Sequence, residues 1–190
     1  MPNWCVNKLV INFNKDEDAI AFQDKLGDNS LLETLKPMPD TVYQGNLGDK
    51  EREEHGTNTW YDWSVENWGT KWSESELEVS RNGRSLIMEF ETAWSPPTEA
   101  MDALLSEPGL LVAYLMYNEA GCDFIGLTII DSMNGVSHIA DDLSEVFGDA
   151  DLPDHEEDYD LWEEKAIEAR NDYFYYKTNK DDMGNLGFGG

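Results

Sequence analysis

Residues 76–94 read ELEVSRNGRSLIMEFETAW. Apolar and polar residues alternate on both sides of Arg81-Asn82-Gly83-Arg84, the pattern of strands with one face buried and one wet. Asn-Gly is the strongest short-range signal for a two-residue hairpin loop, because both residues tolerate positive φ. The stretch therefore predicts a β-hairpin centred on Asn82-Gly83, and its neighbours decide what kind of sheet it joins.

Upstream, WCVNKLVINFN (4–14) alternates and is rich in Val and Ile, so it predicts a strand. KDEDAIAFQDKLG (15–27) predicts a helix. Asp16 can cap it, Ala19, Ile20, Phe22 and Leu26 form its apolar stripe, and Gly27 stops it. Residues 30–58 hold two prolines, scattered glycines and a charged run, and read as a long excursion with one short helical turn. Downstream, SPPTEAMDALLSEPG (95–109) predicts a helix opened by Pro96-Pro97 and closed by Pro108-Gly109. LLVAYLMYNEAGCDFIGLTIIDSMNG (110–135) predicts two strands around Asn118–Gly121. The order is βαββαβ plus one strand, the split-βαβ pattern. The predicted fold is α+β and ferredoxin-like: an antiparallel sheet with two helices on one face, over residues 1–135, with an insertion at 30–58.

After residue 136 the composition changes, and residues 136–190 are read as an acidic helical extension and a tail. Tyr159, Trp162, Ala166, Ala169 and Tyr173 recur at 3,4,3,4 spacing, predicting a helix over about 157–174. Asp160, Glu164 and Glu168 recur at i, i+4 on another face. The tail, TNKDDMGNLGFGG, has no core-forming pattern.

Charge narrows the function classes. The 190 residues hold 40 Asp and Glu against 13 Lys and Arg, a formal net charge of −27. Affinity for phosphates comes from Lys and Arg, so direct nucleic-acid binding and anionic membranes are disfavoured. The charge either serves solubility alone or fits a basic partner. No apolar run is long enough to span a bilayer, and MPNWCVNKLVINF lacks a basic leader followed by an apolar core; both predict a cytoplasmic protein. Cys5 and Cys122 are isolated, and no zinc or iron–sulfur spacing occurs. His55 and His155 lie in solvated contexts, and no nucleophile stands beside any histidine. DADLPDHEED (149–158) lacks the central glycine and closing spacing of an EF-hand. No cofactor, metal ligand or catalytic residue is predicted.

Four motifs carry a family resemblance: MPNWCVNKL at 1–9, LKPMP at 35–39, WYDWSVENWGTKW at 60–72 and TAWSPP at 92–97. Together, and in this order, they resemble the YubB-like ferredoxin-like family of bacteriophages and conjugative plasmids. The resemblance covers residues 1 to about 131, implies the fold and a mobile-element setting, and brings no catalytic residue with it. The tryptophans in these motifs are flanked by Asp62, Glu66, Glu74, Glu76 and Glu78, which disfavours stacking on nucleic-acid bases. Trp60, Trp63, Trp68 and Trp94 are read as core and lid of the small sheet, with a partner-binding face as the alternative.

The expected function is that of an inhibitor encoded by a phage or plasmid. Carboxylates on an ordered helix recur about every 6 Å, a loose imitation of a phosphate track. Asp149, Asp151, Asp154, Glu157, Asp160, Glu164 and Glu168 are the predicted partner-binding residues. The expected partner is a basic, nucleic-acid-binding complex of host defence. The alternative is a non-catalytic accessory module that binds a protein through the Trp-rich face.

Overall fold

The computed structural model describes residues 3–143, 145, 165, 170, 171, 173 and 174. Strand β1 (Trp4–Phe13) leads into helix α1 (Asp16–Leu26). The crossover then carries three more helices, α2 (Leu31–Leu35), α3 (Asp49–His55) and α4 (Trp60–Asn67). Strands β2 (Ser75–Asn82) and β3 (Ser85–Ala93) form the hairpin, a 3₁₀ helix spans Thr98–Ser106, and β4 (Leu110–Glu119), β5 (Phe124–Asp131) and β6 (Gly135–Asp142) follow. The sheet order is β2-β3-β1-β4-β5-β6, antiparallel throughout. The first four strands have the order and connections of the ferredoxin-like α+β fold, and β5 and β6 widen the sheet beyond β4.

The side-chain period of two sorts the sheet residues. Cys5, Leu9, Ile11 and Phe13 of β1 face α1, α2 and the 3₁₀ helix; their partners Leu86, Met88, Ala113 and Leu115 share that core, as does Phe90, which pairs with Asn7. Ala19, Phe22 and Leu26 seal it from α1, and Ala100, Met101 and Leu104 from the 3₁₀ helix. Ile20, placed on the stripe by spacing, is instead exposed. The opposite face carries a second cluster, Val112, Tyr114, Met116, Ile125 and Leu127, against which Leu143 and the helical residues Tyr173 and Phe174 pack. The Tyr173 hydroxyl donates to Asp141 on β6 at 2.6 Å, and Phe174 meets Tyr114 edge-on.

Three local readings change. The hairpin loop is Gly83-Arg84, one residue later than the Asn-Gly signal, because Asn82 pairs with Ser85 and Gly83 alone takes positive φ (+57°). Glycine at the first central position is the requirement of the type II′ loop. The second helix is 3₁₀; Met101 and Leu104, three apart, fall on one face at three residues per turn. The strand GVSHIADD was not foreseen, because its side chains are mostly half-buried or exposed and it ends in two aspartates. The domain boundary drawn after residue 135 thus falls at the start of a strand paired along its length with β5.

The 30–58 excursion is pinned at both ends. Glu74 accepts from the backbone N–H of Leu31 and Leu32 (3.1 Å for the latter) and from the hydroxyls of Ser30 and Ser73, so a carboxylate from just before β2 caps α2. At the other end the backbone of Tyr43 exchanges hydrogen bonds with Asn58 and Trp60.

Candidate functional site

Three of the four sequence motifs meet at one end of the sheet. Trp4 pairs with Ala93 across β1 and β3, and the Trp94 N–H donates to the Asn3 carbonyl at 3.0 Å. Buried Asn7 donates to the Thr92 hydroxyl (2.9 Å), which in turn donates to the Ser95 carbonyl (2.8 Å). Ser95 donates to the Gly69 carbonyl and Thr70 to the Ala93 carbonyl, tying the chain after α4 to the end of β3. The result is a backbone held from several sides around Trp94. Its φ is +74°, a conformation that is a genuine outlier for a bulky residue and costs roughly 1–3 kcal/mol.

The tryptophans divide at this point. Trp68 is 3% exposed and its indole N–H donates to the Lys36 carbonyl at 2.9 Å. Trp63 packs edge-on against it at 5.2 Å between centroids. Trp60 donates to the Gly45 carbonyl, closing the excursion over α4. These three fit the expected core and lid. Trp94 does not: it is 49% exposed, and Trp4 and Trp72 are 36% and 39% exposed. The positive φ turns the Trp94 backbone away from the alternation that the sequence reading assumed. Lys71 lies over the Trp72 ring, 4.3 Å from its centroid, and near Tyr61.

The Asn3 side chain reaches the Gly121 turn, where a carboxylate is buried. Glu119, at the end of β4, is 3% exposed. Its Oε1 accepts from the Gly121 N–H at 2.9 Å, while its Oε2 has no hydrogen-bond partner. A Cβ at Gly121 would lie 2.6 Å from Asn3 Nδ2 and 3.0 Å from Glu119 Oε1, so a side chain there would have to push the Asn3 amide aside. The Asn3 amide and the Glu119 carboxylate thus both line the Gly121 turn. Cys122 accepts from Asn3 Nδ2 at 3.8 Å, and its hydrogen bond to Glu119 pushes its pKa up. Burial, with Glu119 second, raises the Cys5 thiol well above its ordinary range. Both shifts favour the thiol over the thiolate.

A concavity of about 480 Å³ lies in the excursion, lined by residues that include Asp40, Gln44 and Asn58. There the Tyr43 ring is already covered by His55, stacked at 4.1 Å. Among the described residues, no group of three His, Cys, Asp or Glu is placed to hold a metal ion. No described helix is long and apolar enough to cross a membrane. The predicted partner-binding residues, Asp149, Asp151, Asp154, Glu157, Asp160, Glu164 and Glu168, all lie outside the described residues. The rim was missed because nothing in TAWSPP announces a positive φ. Helix α4 did have a signal: Thr59 and Asp62 form the cap pair T-x-x-D, and the Thr59 hydroxyl accepts from the Asp62 N–H.

Residues 67–163, just over half of the chain, match the family described as the ferredoxin-like domain in Api92-like protein. The chain belongs to that Api92-like family. The family match runs past residue 135 and into the acidic stretch, which the motif resemblance had left outside. Among solved structures, the crystal structure of a protein api92 from Yersinia pseudotuberculosis is similar, at 11% sequence identity and a TM-score of 0.52. The match covers 73% of this chain and 98% of the Yersinia protein, and at that identity it speaks for the fold alone. No curated protein matches the sequence. The rim residues Gly69, Thr70, Thr92, Trp94, Ser95, Glu119 and Cys122 fall inside the Api92-like match, whereas Asn3, Trp4, Cys5 and Asn7 precede it.

Proposed function

We propose that this Api92-like protein is a non-catalytic inhibitor that binds a basic, nucleic-acid-binding complex in the cytoplasm of a bacterial host, its carboxylates standing where phosphates would bind. The observation that carries the reading is the distribution of charge. From Ser85 to Glu164 the chain has twenty Asp and Glu and not one Lys or Arg. Among the described residues three ion pairs occur, all made by lysines of the first 36 residues: Lys8–Glu89, Lys25–Glu107 and Lys36–Asp102. Carboxylates this dense repel one another and oppose compactness, a cost that a basic partner would relieve. The motif resemblance to the YubB-like family of phages and plasmids is what supports a target in host defence.

The test is capture from bacterial lysate at low salt, with release by rising salt and by duplex DNA. The wild type should retain a basic protein that DNA displaces. The variant Asp160→Lys/Glu164→Lys/Glu168→Lys should retain none while keeping the wild-type circular dichroism spectrum. A folded triple variant that binds as the wild type does would sink the mimicry reading. A second reading, an accessory module that docks a protein through its tryptophans, is favoured by the exposure of Trp4 and Trp94. Binding of that kind would respond little to salt.

A further inference from the structure

We infer that the free edge of β6 is a docking site for an extended basic segment of the partner, which adds to the sheet as a seventh strand; this rests on the reading above and names the shape of what binds. The order β2-β3-β1-β4-β5-β6 leaves two edges, and among the described residues neither is paired on its outer side. An unpaired edge presents a row of N–H and C=O groups to any strand that fits, so proteins usually guard it with bulges and charges. Strand β2 is guarded. Its register slips between Ser75 and Glu78, Glu76 takes a φ of +53°, and Glu76, Glu78 and Arg81 stand exposed. Strand β6 is open by comparison. Its residues pair one for one with β5 without a register shift, and from Gly135 to Ala140 it holds no Lys, Pro, Asp or Glu.

The phase of the ladder decides which groups are on offer. The Leu143 N–H donates at 3.1 Å to the carbonyl of Asp123, the residue directly opposite it in the β5–β6 register. Bonded and non-bonded pairs alternate along an antiparallel ladder, so Ser137, Ile139 and Asp141 bond to β5, while Val136, His138, Ala140 and Asp142 turn their N–H and C=O outward. The hydrogen bond of 2.9 Å between the side chains of Thr128 and His138, directly opposite each other, agrees with this phase, because side chains come closest in non-bonded pairs. His138, Ala140 and Asp142 are exposed. Charge selects the occupant. The edge ends at Asp142, exposed Glu145 lies just beyond it, and no Lys or Arg occurs from Ser85 to Glu164. A second copy would bring the same carboxylates and a net charge of −27 to the pairing, which opposes it; a strand carrying Lys or Arg is attracted. At the β5–β6 turn, Met133 is 91% exposed and offers the added strand an adaptable apolar contact.

The experiment titrates full-length ¹⁵N-labelled protein with a nonapeptide of alternating lysine and valine, and with the same peptide N-methylated at every residue, which keeps the charge and has no backbone donor for a strand edge. Hydrogen exchange at the Val136, His138, Ala140 and Asp142 amides should slow with the first peptide and not with the second. The amides of Ser137 and Ile139, already bonded to β5, and of Ser80 on β2 should change little. Ala140→Pro removes one outward N–H at an edge position that tolerates proline, and should weaken the first peptide about tenfold. If both peptides bind equally and the four amides exchange as before, β6 is not the docking edge, and the acidic-inhibitor reading stands without it. If neither binds even at low salt, the inhibitor reading falls as well. If the four amides slow with rising concentration of the protein alone, a second copy occupies the edge and the proposal is overturned. The wild-type exchange pattern decides the matter even should Ala140→Pro fold poorly.

Discussion

The segment Trp60–Trp72 and the rim at Trp4 and Trp94 put the same amino acid to opposite uses. In the first, Trp68 is sealed under the excursion, its N–H given to Lys36, and Trp63 packs against its edge. In the second, a strained backbone holds an indole half in water. What separates them is the backbone. A helical turn capped by Thr59 lays Trp63 and Trp68 onto an apolar surface, whereas positive φ at Trp94 breaks the alternation of β3 at its last step. Tryptophan by itself therefore says little about its use; whether its N–H has a partner and how its backbone is held say more.

The largest expected effect comes from the packed set. Trp68→Ala should cost about 3–5 kcal/mol, a cavity and a lost indole hydrogen bond together. Thermal unfolding should shift by on the order of 10 °C for a chain of this size. A shift of only a degree or two would break the comparison from the core side. Glu74→Ala comes next, at about 2 kcal/mol by chemical denaturation, because it strips the acceptor from two backbone N–H groups of α2 that cover the same core. Little change would mean that water caps α2 equally well.

Thr92→Val sharpens the comparison from the rim side. It removes the acceptor for buried Asn7 and the donor to Ser95, at about 1–2 kcal/mol. It should also loosen the backbone of Trp94, so hydrogen exchange at the Trp94 amide should quicken while that at Leu9 is unchanged. Among packed aromatics, Tyr173 adds a pH test. Burial and its hydrogen bond to Asp141 raise its pKa, so the folded protein holds the proton more tightly than the unfolded chain. Its contribution to stability is complete below the ordinary tyrosine value of about 10 and is lost as pH rises toward the raised folded value. Tyr173→Phe should flatten the fall in stability above about pH 10, by roughly 1 kcal/mol; an unchanged alkaline limb would show that Tyr173 does not contribute to it.

The order of strands and helices was legible, because alternation, the Gly83 turn and the Pro-bounded helix each announce themselves locally. Tyr173 packs on the second sheet face, while the other residues of the expected stripe, Tyr159, Trp162, Ala166 and Ala169, lie outside the described residues. Strand β6 was not legible: an edge strand that buries little has no apolar pattern to show. The rim was legible only as a set of motifs. That MPNWC, the chain after α4 and TAWSPP converge follows from the antiparallel pairing of β1 with β3, and the positive φ of Trp94 follows from hydrogen bonds between residues far apart in sequence. The unpartnered Glu119 oxygen is likewise a property of packing that no spacing encodes.

The most direct test sets the two regions against each other in one pair of variants. Trp68→Phe and Trp94→Asn are each measured for thermal unfolding and for quenching of tryptophan fluorescence by acrylamide. We predict that Trp68→Phe unfolds several degrees lower and leaves the quenchable fraction of the emission unchanged, and that Trp94→Asn unfolds within about 1 kcal/mol of the wild type and removes much of that fraction. A Trp94→Asn variant that loses stability as heavily as Trp68→Phe and leaves quenching unchanged would contradict the division of labour between core and rim.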